Sequence, residues 1–505
     1  MQQDQPVTIV IAGGGTAGWM TAAALARFLD RNFRIRLVES DEIGTVGVGE
    51  ATIPQILLYN NALGLDEDAF LRATQGTFKL GIEFVDWLRP GHRYMHAFGA
   101  VGRDFGLITF QHYWQRARRR GLAKTLGAYS LNEIAARAGK MHRGGPITGS
   151  TIPAMPYAYH FDAGLYAAYL RQFAEAAGVD RIEGRIVGTD RHAESGDIAA
   201  LRLASGEHIA GDLFIDCSGF RALLIEQELA SGFEDWGHWL PCDRAIAVPS
   251  ERAIDLAPFT RASACRAGWQ WRIPLQHRTG NGHVYCSEFM SEDEATTLLL
   301  AGLDGTAIAD PRALHFAAGK RRLAWNRNVV AIGLSSGFLE PLESTSIHLI
   351  QSAISRLLKL LPGRDIRAAD RAEYNRQTDF EIERIRDFII LHYYANVRDE
   401  PFWRMRRDVA LPDNLRAKLE LYRANGHIFR ENEELFTEAG WLQVFAGQGI
   451  EPAGYHPLAD AISEADLSEY LGAIEELYTR EASRMPSHAD FIARHCAAVS
   501  RSPIA

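Results

Sequence analysis

The sequence has few cysteines and no long apolar run. Its five cysteines, Cys217, Cys242, Cys265, Cys286 and Cys496, lie far apart and form no CxxC pair. This spacing gives neither a disulfide framework nor a zinc motif, so we expect no metal site and a reducing compartment. No apolar stretch reaches ~18 residues, and no basic segment with an apolar core precedes the first predicted strand. These features predict a soluble, cytoplasmic protein that does not associate with membranes.

The chain also lacks a strong charge of either sign. It has 54 Lys and Arg against 63 Asp and Glu, a formal charge of -9 over 505 residues. So mild a balance argues against a nucleic-acid or membrane-surface protein. The basic cluster Arg116, Arg118, Arg119 and Arg120 is interpreted as a solvated helix face rather than a phosphate-binding patch. A chain of this length has room for two or three cores, or for one large α/β module with a second domain.

What the sequence does have is a glycine-rich turn near its start. The apolar, β-branched run 7–11 predicts a strand, and Gly13, Gly15 and Gly18 follow it as GxGxxG. Glycines at these positions allow a tight turn, close approach of the backbone to a pyrophosphate, and close packing of the next helix on the sheet. The motif predicts a dinucleotide site, and the alternative is a tight strand-to-helix turn that binds no nucleotide.

The residues after the turn complete a nucleotide-binding unit. A helix is predicted over 17–29, and its positive amino end would point at the phosphates. A second strand follows over 34–38. Glu39 ends this strand, where an acid is placed to accept hydrogen bonds from ribose hydroxyls.

Two later segments repeat the pattern of small residues beside a predicted helix. The loop over 44–54 contains Gly49, Glu50 and Ala51, and its backbone can lie against a planar or phosphate-bearing ligand. A flexible surface loop is the alternative. The strand predicted over 328–332 runs into a small-residue loop and then a helix that starts near Thr345. The exposed amides of such a helix start can hold an anion.

The middle of the chain reads as a meander of short strands, and the end reads as helices. Strands are predicted over 185–189, 198–203, 207–209 and 213–216, after a helix over 163–177 with Asp162 as its N-cap. The meander ends in Asp216-Cys217-Ser218-Gly219, which resembles the segment beside the cofactor phosphates in flavoproteins of the two-dinucleotide-fold type. From Leu349 onward the apolar periodicity is helical, and His392 on such a face is interpreted as a core histidine.

Lys79 is an unusual residue among Phe78, Leu80 and Ile82. Burial of an ammonium group is costly unless the group is paired or used. The alternative is an exposed lysine at the end of a strand. The ring-rich segments 94–99 and 110–114 are typical of cores, but such segments also line pockets for flat aromatic substrates.

Together these motifs resemble the flavin-dependent tryptophan halogenases. The matching pieces are Gly13 to Gly18, the loop 47–54, Lys79, Trp269-x-Trp271-x-Ile273-Pro274, the segment 341–345 and the segment 387–393. The resemblance implies an α/β fold, in which a FAD-binding two-dinucleotide-fold module of parallel and antiparallel strands precedes a mainly α-helical part. It implies a catalytic module over 1–357 and a helical part over 358–505 that covers the substrate site.

The resemblance also implies a reaction. Reduced FAD, supplied by a separate flavin reductase, and oxygen would convert chloride or bromide into hypohalous acid, which would cross a tunnel to Lys79. Lys79 would hold it by a hydrogen bond or as a haloamine, and Glu343 would steady the cationic ring intermediate and take its proton. The amides of Thr345 and Ser346 match the halide site, although the family often has glycine at the second position.

The remaining site residues are carried over in the same way. The implied cofactor contacts are Gly13, Gly15, Thr16, Ala17, Gly18, Glu39, Gly49, Glu50, Ala51, Val187, Leu334 and Ile347. Trp269, Trp271, Ile273 and Pro274 would separate flavin from substrate. His96 and Phe98 match the pair that sandwiches an indole ring, and Trp441 lies where relatives that act on free tryptophan have a tyrosine pair.

The missing tyrosine pair favours an indole or related electron-rich arene over free tryptophan. The family is commonly dimeric, so the resemblance admits a homodimer. Only one dinucleotide fingerprint is present, and the chain is not expected to oxidise NAD(P)H itself. Two alternatives stay open from the sequence: a flavin monooxygenase that inserts oxygen into an aromatic substrate, and a non-catalytic FAD-binding protein.

Overall fold

The computed structural model describes residues 6–42, 49–143 and 154–498. Its strands are β1 (Val7–Ala12), β2 (Phe33–Glu39), β3 (Gly49–Ala51), β4 (Thr77–Lys79), β5 (Gly81–Val85), β6 (Arg93–Ala97), β7 (Ala158–Asp162), β8 (Asp180–Glu183), β9 (Ile186–Arg191), β10 (Ile198–Leu203), β11 (His208–Ala210), β12 (Leu213–Asp216), β13 (Phe233–Asp235), β14 (Arg244–Glu251), β15 (Thr260–Cys265), β16 (Gly268–Pro274), β17 (Arg278–Tyr285), β18 (Arg312–His315), β19 (Gly319–Arg321), β20 (Trp325–Asn326), β21 (Val329–Ala331) and β22 (Gly337–Phe338). Its α-helices are α1 (Thr16–Phe28), α2 (Gln55–Leu63), α3 (Glu67–Ala73), α4 (Phe110–Arg119), α5 (Leu131–Arg137), α6 (Ala163–Ala176), α7 (Glu292–Ala301), α8 (Ser346–Lys359), α9 (Ala368–Tyr394), α10 (Pro401–Arg407), α11 (Asp413–Asn425), α12 (Glu438–Gly447), α13 (Glu464–Arg484) and α14 (His488–His495).

The described residues form two compact units, and each unit is assembled from three separate stretches of chain. The first unit comprises the described parts of Met1–Gly76, Phe161–Asp243 and His315–Ile382. The second comprises those of Thr77–His160, Arg244–Leu314 and Glu383–Ala505. The division at residue 357 concerns function and stays a prediction.

A six-stranded sheet in the order β20-β21-β12-β1-β2-β8 organises the first unit. Strands β21, β12, β1, β2 and β8 are parallel, and β20 is antiparallel at one edge. The β-branched side chains of β1 suit a strand that is covered on both faces. Ala12 at the end of β1 is paired with Asp216 at the end of β12. The glycine turn and the Asp216 turn therefore leave the sheet at its carboxyl edge, where open α/β sheets bind ligands.

The core of the first unit joins this sheet to smaller elements. Val10, Val38 and Phe214 are fully buried in one apolar cluster with residues of the antiparallel sheet β11-β10-β9 and of a π-helix at Leu223–Glu228. The strands predicted over 198–203 and 213–216 are β10 and β12, with the predicted bounds. Asp162 caps α6 as predicted, because its side chain accepts from the amides of Gly164 and Leu165.

A seven-stranded sheet in the order β18-β14-β17-β16-β15-β5-β6 organises the second unit. Buried rings pack around it: the Trp87 ring lies 6.4 Å from that of Trp269 and 5.4 Å from that of Trp403. His392 is fully buried and its Nδ1 lies 2.9 Å from the Phe388 carbonyl oxygen, so its interpretation as a core histidine is confirmed. The short strand β4 pairs antiparallel with β7.

From Pro401 to His495 the chain consists mainly of the helices α10 to α14, with a 3-10 turn at Pro457–Ala461. This arrangement agrees with the predicted helical carboxyl-terminal part. Within the three described ranges, no helix is both long enough and apolar enough to cross a lipid bilayer.

One member of the basic cluster on α4 departs from its predicted surroundings. Arg118, Arg119 and Arg120 are exposed, but Arg116 is buried and donates to the carbonyl oxygens of Ala459 and Ile462. The interpretation as a solvated face is therefore wrong for Arg116. Its guanidinium instead holds the segment before α13, because a buried charge requires partners.

Candidate active site

The glycine turn forms a cradle between β1 and α1. Gly13 has a positive φ of 113°, and a Cβ there would lie 2.5 Å from the Cys217 carbonyl oxygen. A Cβ at Gly18 would lie 1.9 Å from the Gly13 carbonyl oxygen. A Cβ at Gly15 would meet nothing within 4 Å. The turn is therefore packed tightly by protein on the Gly13 and Gly18 sides and open at Gly15, as a pyrophosphate site requires.

Glu39 is held in place at the end of β2. Its carboxylate accepts from Arg181 Nε at 2.6 Å and from Trp19 Nε1 at 3.3 Å. A Cβ at Gly14 would lie 1.5 Å from Glu39 Oε2, so only glycine fits there. Gly14 is not one of the three glycines of the GxGxxG motif, although the run of three consecutive glycines was a signal that it is required. Nothing in the sequence indicated that Arg181 would bind Glu39.

The Asp216 side chain holds the turn that follows β12. One carboxylate oxygen accepts from the Ser218 amide at 3.0 Å, and the other accepts from the amides of Leu224 and Ile225 at 2.9 Å. Asp216 is fully buried. The side chain thus fixes the turn and caps the π-helix, and it is the Cys217 carbonyl that touches the glycine cradle.

The loop between β21 and α8 approaches the same cradle. A Cβ at Gly333 would lie 2.8 Å from Cβ of Ala17, so this loop packs directly on the start of α1. Leu334 beside it is 38% exposed, whereas Ile347 in the first turn of α8 is buried. Ala17, Leu334 and Ile347 are therefore brought to one edge of the first unit.

The turn before α8 carries the predicted acid and halide residues. Glu343 is buried at the end of a 3-10 turn, Pro341–Glu343. Ser344 has a φ of 59°, an uncommon conformation for a residue with a Cβ, and Thr345 is the N-cap of α8. The helix begins at Ser346, close to the predicted start, and its first amides have no partner within the helix.

Two other predicted cofactor residues lie farther along the unit. Burial raises the pKa of Glu50, on β3, to about 7. Val187 is 56% exposed on β9, in the separate antiparallel sheet. Residues 43–48, which include most of the glycines of the predicted loop, lie outside the described residues. The open face at Gly15, the fixed Glu39 and the neighbouring α8 loop are together suited to a dinucleotide such as FAD.

Lys79 is fully buried on β4. The alternative of an exposed lysine is wrong. Its Nζ lies 5.4 Å from the ring centre of Phe98, within the range of a cation–π interaction. Burial, followed by the charge of Lys79, lowers the pKa of the neighbouring His160 well below its ordinary value.

Trp269 and Trp271 lie on β16, with ring centres 6.1 Å apart. Trp269 is buried, and Trp271 is partly exposed. Gly282 is paired with Trp271 on the neighbouring strand β17, and a Cβ there would lie 2.0 Å from the Trp271 ring. Gly282 thus provides the space for this ring, and no motif in the sequence indicated it. Ile273 and Pro274 end the strand and are buried.

His96 and Phe98 flank the end of β6, beside a group of aromatic side chains. The His96 ring lies 5.5 Å from Phe388, and Trp441 packs edge-on against Phe388 at 4.7 Å. Both His96 and Trp441 are buried. A Cβ at Gly440 would lie 2.9 Å from Nε2 of His96, so α12 approaches the histidine closely at this residue.

The predicted site residues are divided between the units. The first unit contains the glycine turn, Glu39, Glu343, Thr345 and Ser346. The second contains Lys79, His96, Phe98, Trp441 and the Trp269–Pro274 strand.

Comparison with known proteins identifies the family. The family model for tryptophan halogenase matches residues 8–464. The chain belongs to the tryptophan halogenase family. It is 34% identical over 525 residues to the tryptophan 7-halogenase of Lentzea aerocolonigenes, a match that covers 96% of this chain and 98% of that protein. It is 35% identical to the tryptophan 6-halogenase of Streptomyces albogriseolus, over 91% of this chain and 93% of that protein.

Solved structures agree with this identification. A flavin-dependent halogenase from Xanthomonas campestris is 50% identical, with a TM-score of 0.95 over 99% of this chain and 100% of that one. A flavin-dependent halogenase from Brevundimonas sp. BAL3 is 46% identical, with a TM-score of 0.93 over 97% of this chain and 99% of that one. The predicted FAD-binding α/β fold is confirmed.

The halogenase is therefore an oxidoreductase that uses reduced FAD and a halide, and that depends on a separate flavin reductase and an aromatic substrate. The monooxygenase and the non-catalytic FAD-binding protein are not favoured by these relatives. The family prediction is confirmed.

Proposed function

We propose that this halogenase uses Lys79 and Glu343 to direct hypohalous acid onto an electron-rich arene of the indole type. The observation that carries the proposal is the complete burial of Lys79 beside Phe98. A buried amine can orient the halogen of a small oxidant in a place that excludes water, because its hydrogen bonds are strengthened there. The amine can hold the oxidant by a hydrogen bond or as a haloamine.

In this proposal, bound FAD, once reduced, supplies the electrons with which oxygen is activated toward the halide. The protein binds and orients the dinucleotide and the halide. Gly13 to Gly18 and Glu39 hold the dinucleotide, together with Gly49, Glu50, Ala51, Val187, Leu334 and Ile347. The amides of Thr345 and Ser346 hold chloride or bromide at the start of α8, because a helix amino end attracts anions.

The strand from Trp269 to Pro274 is proposed as a barrier between the flavin side and the substrate side. Its support is the two indole rings side by side on β16 and the space that Gly282 leaves for one of them. Glu343 is proposed to stabilise the cationic ring intermediate and to accept its proton. A buried carboxylate suits both tasks.

His96, Phe98 and Trp441 are proposed to line the substrate site. Their support is the aromatic group around Phe388, which suits a flat ring. The segment of α12 that replaces the tyrosine pair contributes Trp441 and Gln443, and the Gln443 amide is already bonded to the backbone of Ala97. We therefore propose indole or a related arene without an amino-acid head group as substrate.

The experiment supplies the purified chain with FAD, a flavin reductase, NADH, oxygen, bromide and indole. Brominated indole, recognised by the bromine isotope doublet in mass spectrometry, is the expected product. Lys79→Met, which keeps an unbranched side chain without the amine, is expected to consume oxygen and release oxidant without brominating indole. Glu343→Gln is expected to slow bromination without affecting formation of the oxidant.

Lys320→Met serves as the matched control, because Lys320 is also buried but is ion-paired with Asp379 in the first unit. It is expected to retain bromination. Bromination by Lys79→Met at the wild-type rate contradicts the role of Lys79. Hydroxylated indole formed without dependence on bromide favours a monooxygenase instead.

We further propose a cytoplasmic homodimer. All five cysteines are thiols, which suits a reducing compartment. Sedimentation of the purified chain measures the oligomeric state. A monomer at micromolar concentration contradicts the proposed dimer.

A further inference from the structure

The strand that carries Lys79 is too short to fix its own position. β4 has three residues and pairs with β7 over Thr77, Phe78 and Lys79. Further bonds join its backbone to other elements: the Phe78 amide donates to His488 Nε2 at 3.1 Å, and the Leu80 amide next to it donates to the Pro258 carbonyl at 2.8 Å. Side-chain bonds at Thr77 add to this set.

The Thr77 hydroxyl joins two groups in a fixed order. Its Oγ1 lies 2.6 Å from the Pro274 carbonyl oxygen and 3.0 Å from Nδ1 of His160. A carbonyl only accepts, so the single hydroxyl proton points to Pro274, and the hydroxyl accepts from Nδ1–H. Nε2 of the neutral ring then accepts from the Thr260 hydroxyl, 2.9 Å away. Donation therefore runs from Thr260 to His160, to Thr77 and to Pro274.

Burial keeps the direction of hydrogen-bond donation from changing. Thr77 and His160 are fully buried, and Thr260 is 5% exposed. Burial and the Lys79 charge hold the pKa of His160 well below its ordinary value, so the ring stays neutral at physiological pH. A buried network whose members are all bonded specifies one arrangement of the strands it joins, because any other arrangement leaves polar groups unpaired.

We propose that Thr77, His160 and Thr260 form a positioning relay that fixes the Lys79 strand to the end of the tryptophan strand at Pro274. The relay acts through the strands that it joins. It sets where the Lys79 amine sits relative to Trp269 and Trp271, since Thr77 and Pro274 belong to those two strands. Its effect on halogenation rests on the proposed role of Lys79, whereas its effect on strand β4 does not.

The test compares Thr77→Val, which replaces the hydroxyl by a methyl group, with Thr77→Ser, which keeps it. Hydrogen exchange followed by mass spectrometry measures the amides of residues 77–82 in the purified full-length chain. In the bromination assay, added methionine traps escaping hypobromous acid as its sulfoxide, and the ratio of sulfoxide to brominated indole is measured. The matched control is Thr74→Val, because the buried Thr74 hydroxyl also donates to one carbonyl, that of Phe70, in the first unit.

Thr77→Val loses both hydrogen bonds of the buried hydroxyl, and is therefore expected to raise both the exchange rate and the escape ratio at least about fivefold. Thr77→Ser is expected to restore both, and Thr74→Val to change neither. Thr260→Val, at the other end of the relay, is expected to give the same two effects and replaces Thr77→Val if that variant does not fold.

The outcomes separate the relay from the function on which it rests. Unchanged exchange in both valine variants overturns the relay. Faster exchange with an unchanged escape ratio overturns its positioning role, provided that Lys79→Met raises the ratio. If Lys79→Met leaves the ratio unchanged, the proposed role of Lys79 fails, and faster exchange in Thr77→Val still supports the relay as a device that holds β4.

Discussion

Gly15 is the residue of the first turn at which an added methyl group meets no protein atom within 4 Å. Its φ of -73° also suits alanine. We therefore expect the melting temperature of Gly15→Ala to lie within about 2 °C of the wild-type value, since the added methyl group displaces nothing in the chain. FAD affinity is expected to fall at least about tenfold, because the methyl group takes the space proposed for the pyrophosphate.

Differential scanning fluorimetry and a flavin titration check this pair of outcomes. Gly472→Ala is the control, since a Cβ there also meets nothing and the residue lies within helix α13. It is expected to leave FAD affinity unchanged. Unaltered FAD affinity in Gly15→Ala would place the pyrophosphate elsewhere.

His488 makes the stability of the chain depend on pH. It is buried, its Nε2 accepts from the Phe78 amide, and its Nδ1–H donates to the Leu256 carbonyl. Burial lowers its pKa from 6.5 to about 4. Between these pH values the unfolded chain takes up a proton that the folded chain does not. The free energy of unfolding therefore includes the full contribution of the neutral His488 ring above pH 6.5. It falls by up to about 3 kcal/mol as the pH falls to 4.

His488→Gln removes this titration while keeping an acceptor and a donor. We expect the variant to be less stable than the wild type at pH 8 and to lose less stability on acidification, so that the two curves converge toward pH 4. Urea unfolding at pH values between 4 and 8 measures this. Parallel curves would mean that His488 titrates alike in both states.

At the scale of single residues, the sequence indicated which residues matter better than it indicated their burial and contacts. Lys79 stood out as a cation among apolar neighbours, but its burial was left open because a three-residue strand carries too short a pattern to assign a face. Gly14 and Gly282 have no motif of their own. Each is required by a side chain elsewhere, Glu39 and Trp271, and that requirement exists only in the folded chain.

At the scale of elements, the pairing of β16 with β17 fixes the position of the Trp271 ring. A Cβ at Gly282 would lie 2.0 Å from this ring, so Gly282→Ala must displace it. We expect a loss of about 1 to 3 kcal/mol from overpacking. If the ring belongs to the proposed barrier, the ratio of oxygenated to brominated indole should also rise.

Thermal unfolding and product analysis by mass spectrometry measure these effects. Trp271→Phe reduces the ring that clashes, so adding it to Gly282→Ala is expected to recover part of the lost stability. A double variant that is no more stable than Gly282→Ala would show that the clash is not with Trp271.

The Gln443 side chain joins helix α12 to β6. The Gln443 amide accepts from the Ala97 N–H at 2.9 Å and donates to the Ala97 carbonyl at 3.0 Å, between His96 and Phe98. Gln443→Leu leaves both buried groups unpaired, at a cost of about 1 to 3 kcal/mol for each. We expect a lower melting temperature and a higher KM for indole, because His96 and Phe98 lose their support.

Gln448→Leu is the matched control, since this buried glutamine follows α12 and donates to the His392 carbonyl, away from β6. It is expected to lower stability while leaving KM unchanged. Equal KM values in the two variants would mean that Gln443 does not support the substrate residues.

Elements with a local signal were predicted well, and contacts between distant elements were not. β10, β12 and the Asp162 cap of α6 follow from short apolar runs and a capping residue. The bonds from Gln443 to Ala97 join residues 346 positions apart, and the pairing of Arg116 with the Ala459 carbonyl joins residues 343 apart. No periodicity records such a pair, because the partners meet only through the fold.

At the scale of the whole molecule, the interleaved units allow the division at residue 357 to be tested. A fragment of residues 1–357 keeps most of the first unit but loses the last stretch of the second, from Glu383 onward. Rings such as Trp87 and Phe84 would lose Tyr393, Trp403 and His392. We expect the fragment to bind FAD weakly and to aggregate, because this apolar surface becomes exposed.

Size-exclusion chromatography and flavin titration of the fragment check this, with the full chain as control. A monodisperse fragment that binds FAD like the full chain would support an independent catalytic module over 1–357.

The bond from the Phe78 amide to His488 joins residues 410 positions apart. During synthesis the ribosome delivers His488 410 residues after Phe78, so the Phe78 amide in the strand of Lys79 stays unsatisfied until that stretch has been made. A chain that stops short of α14 therefore leaves the ribosome with this strand unfinished, however well its glycine turn has formed.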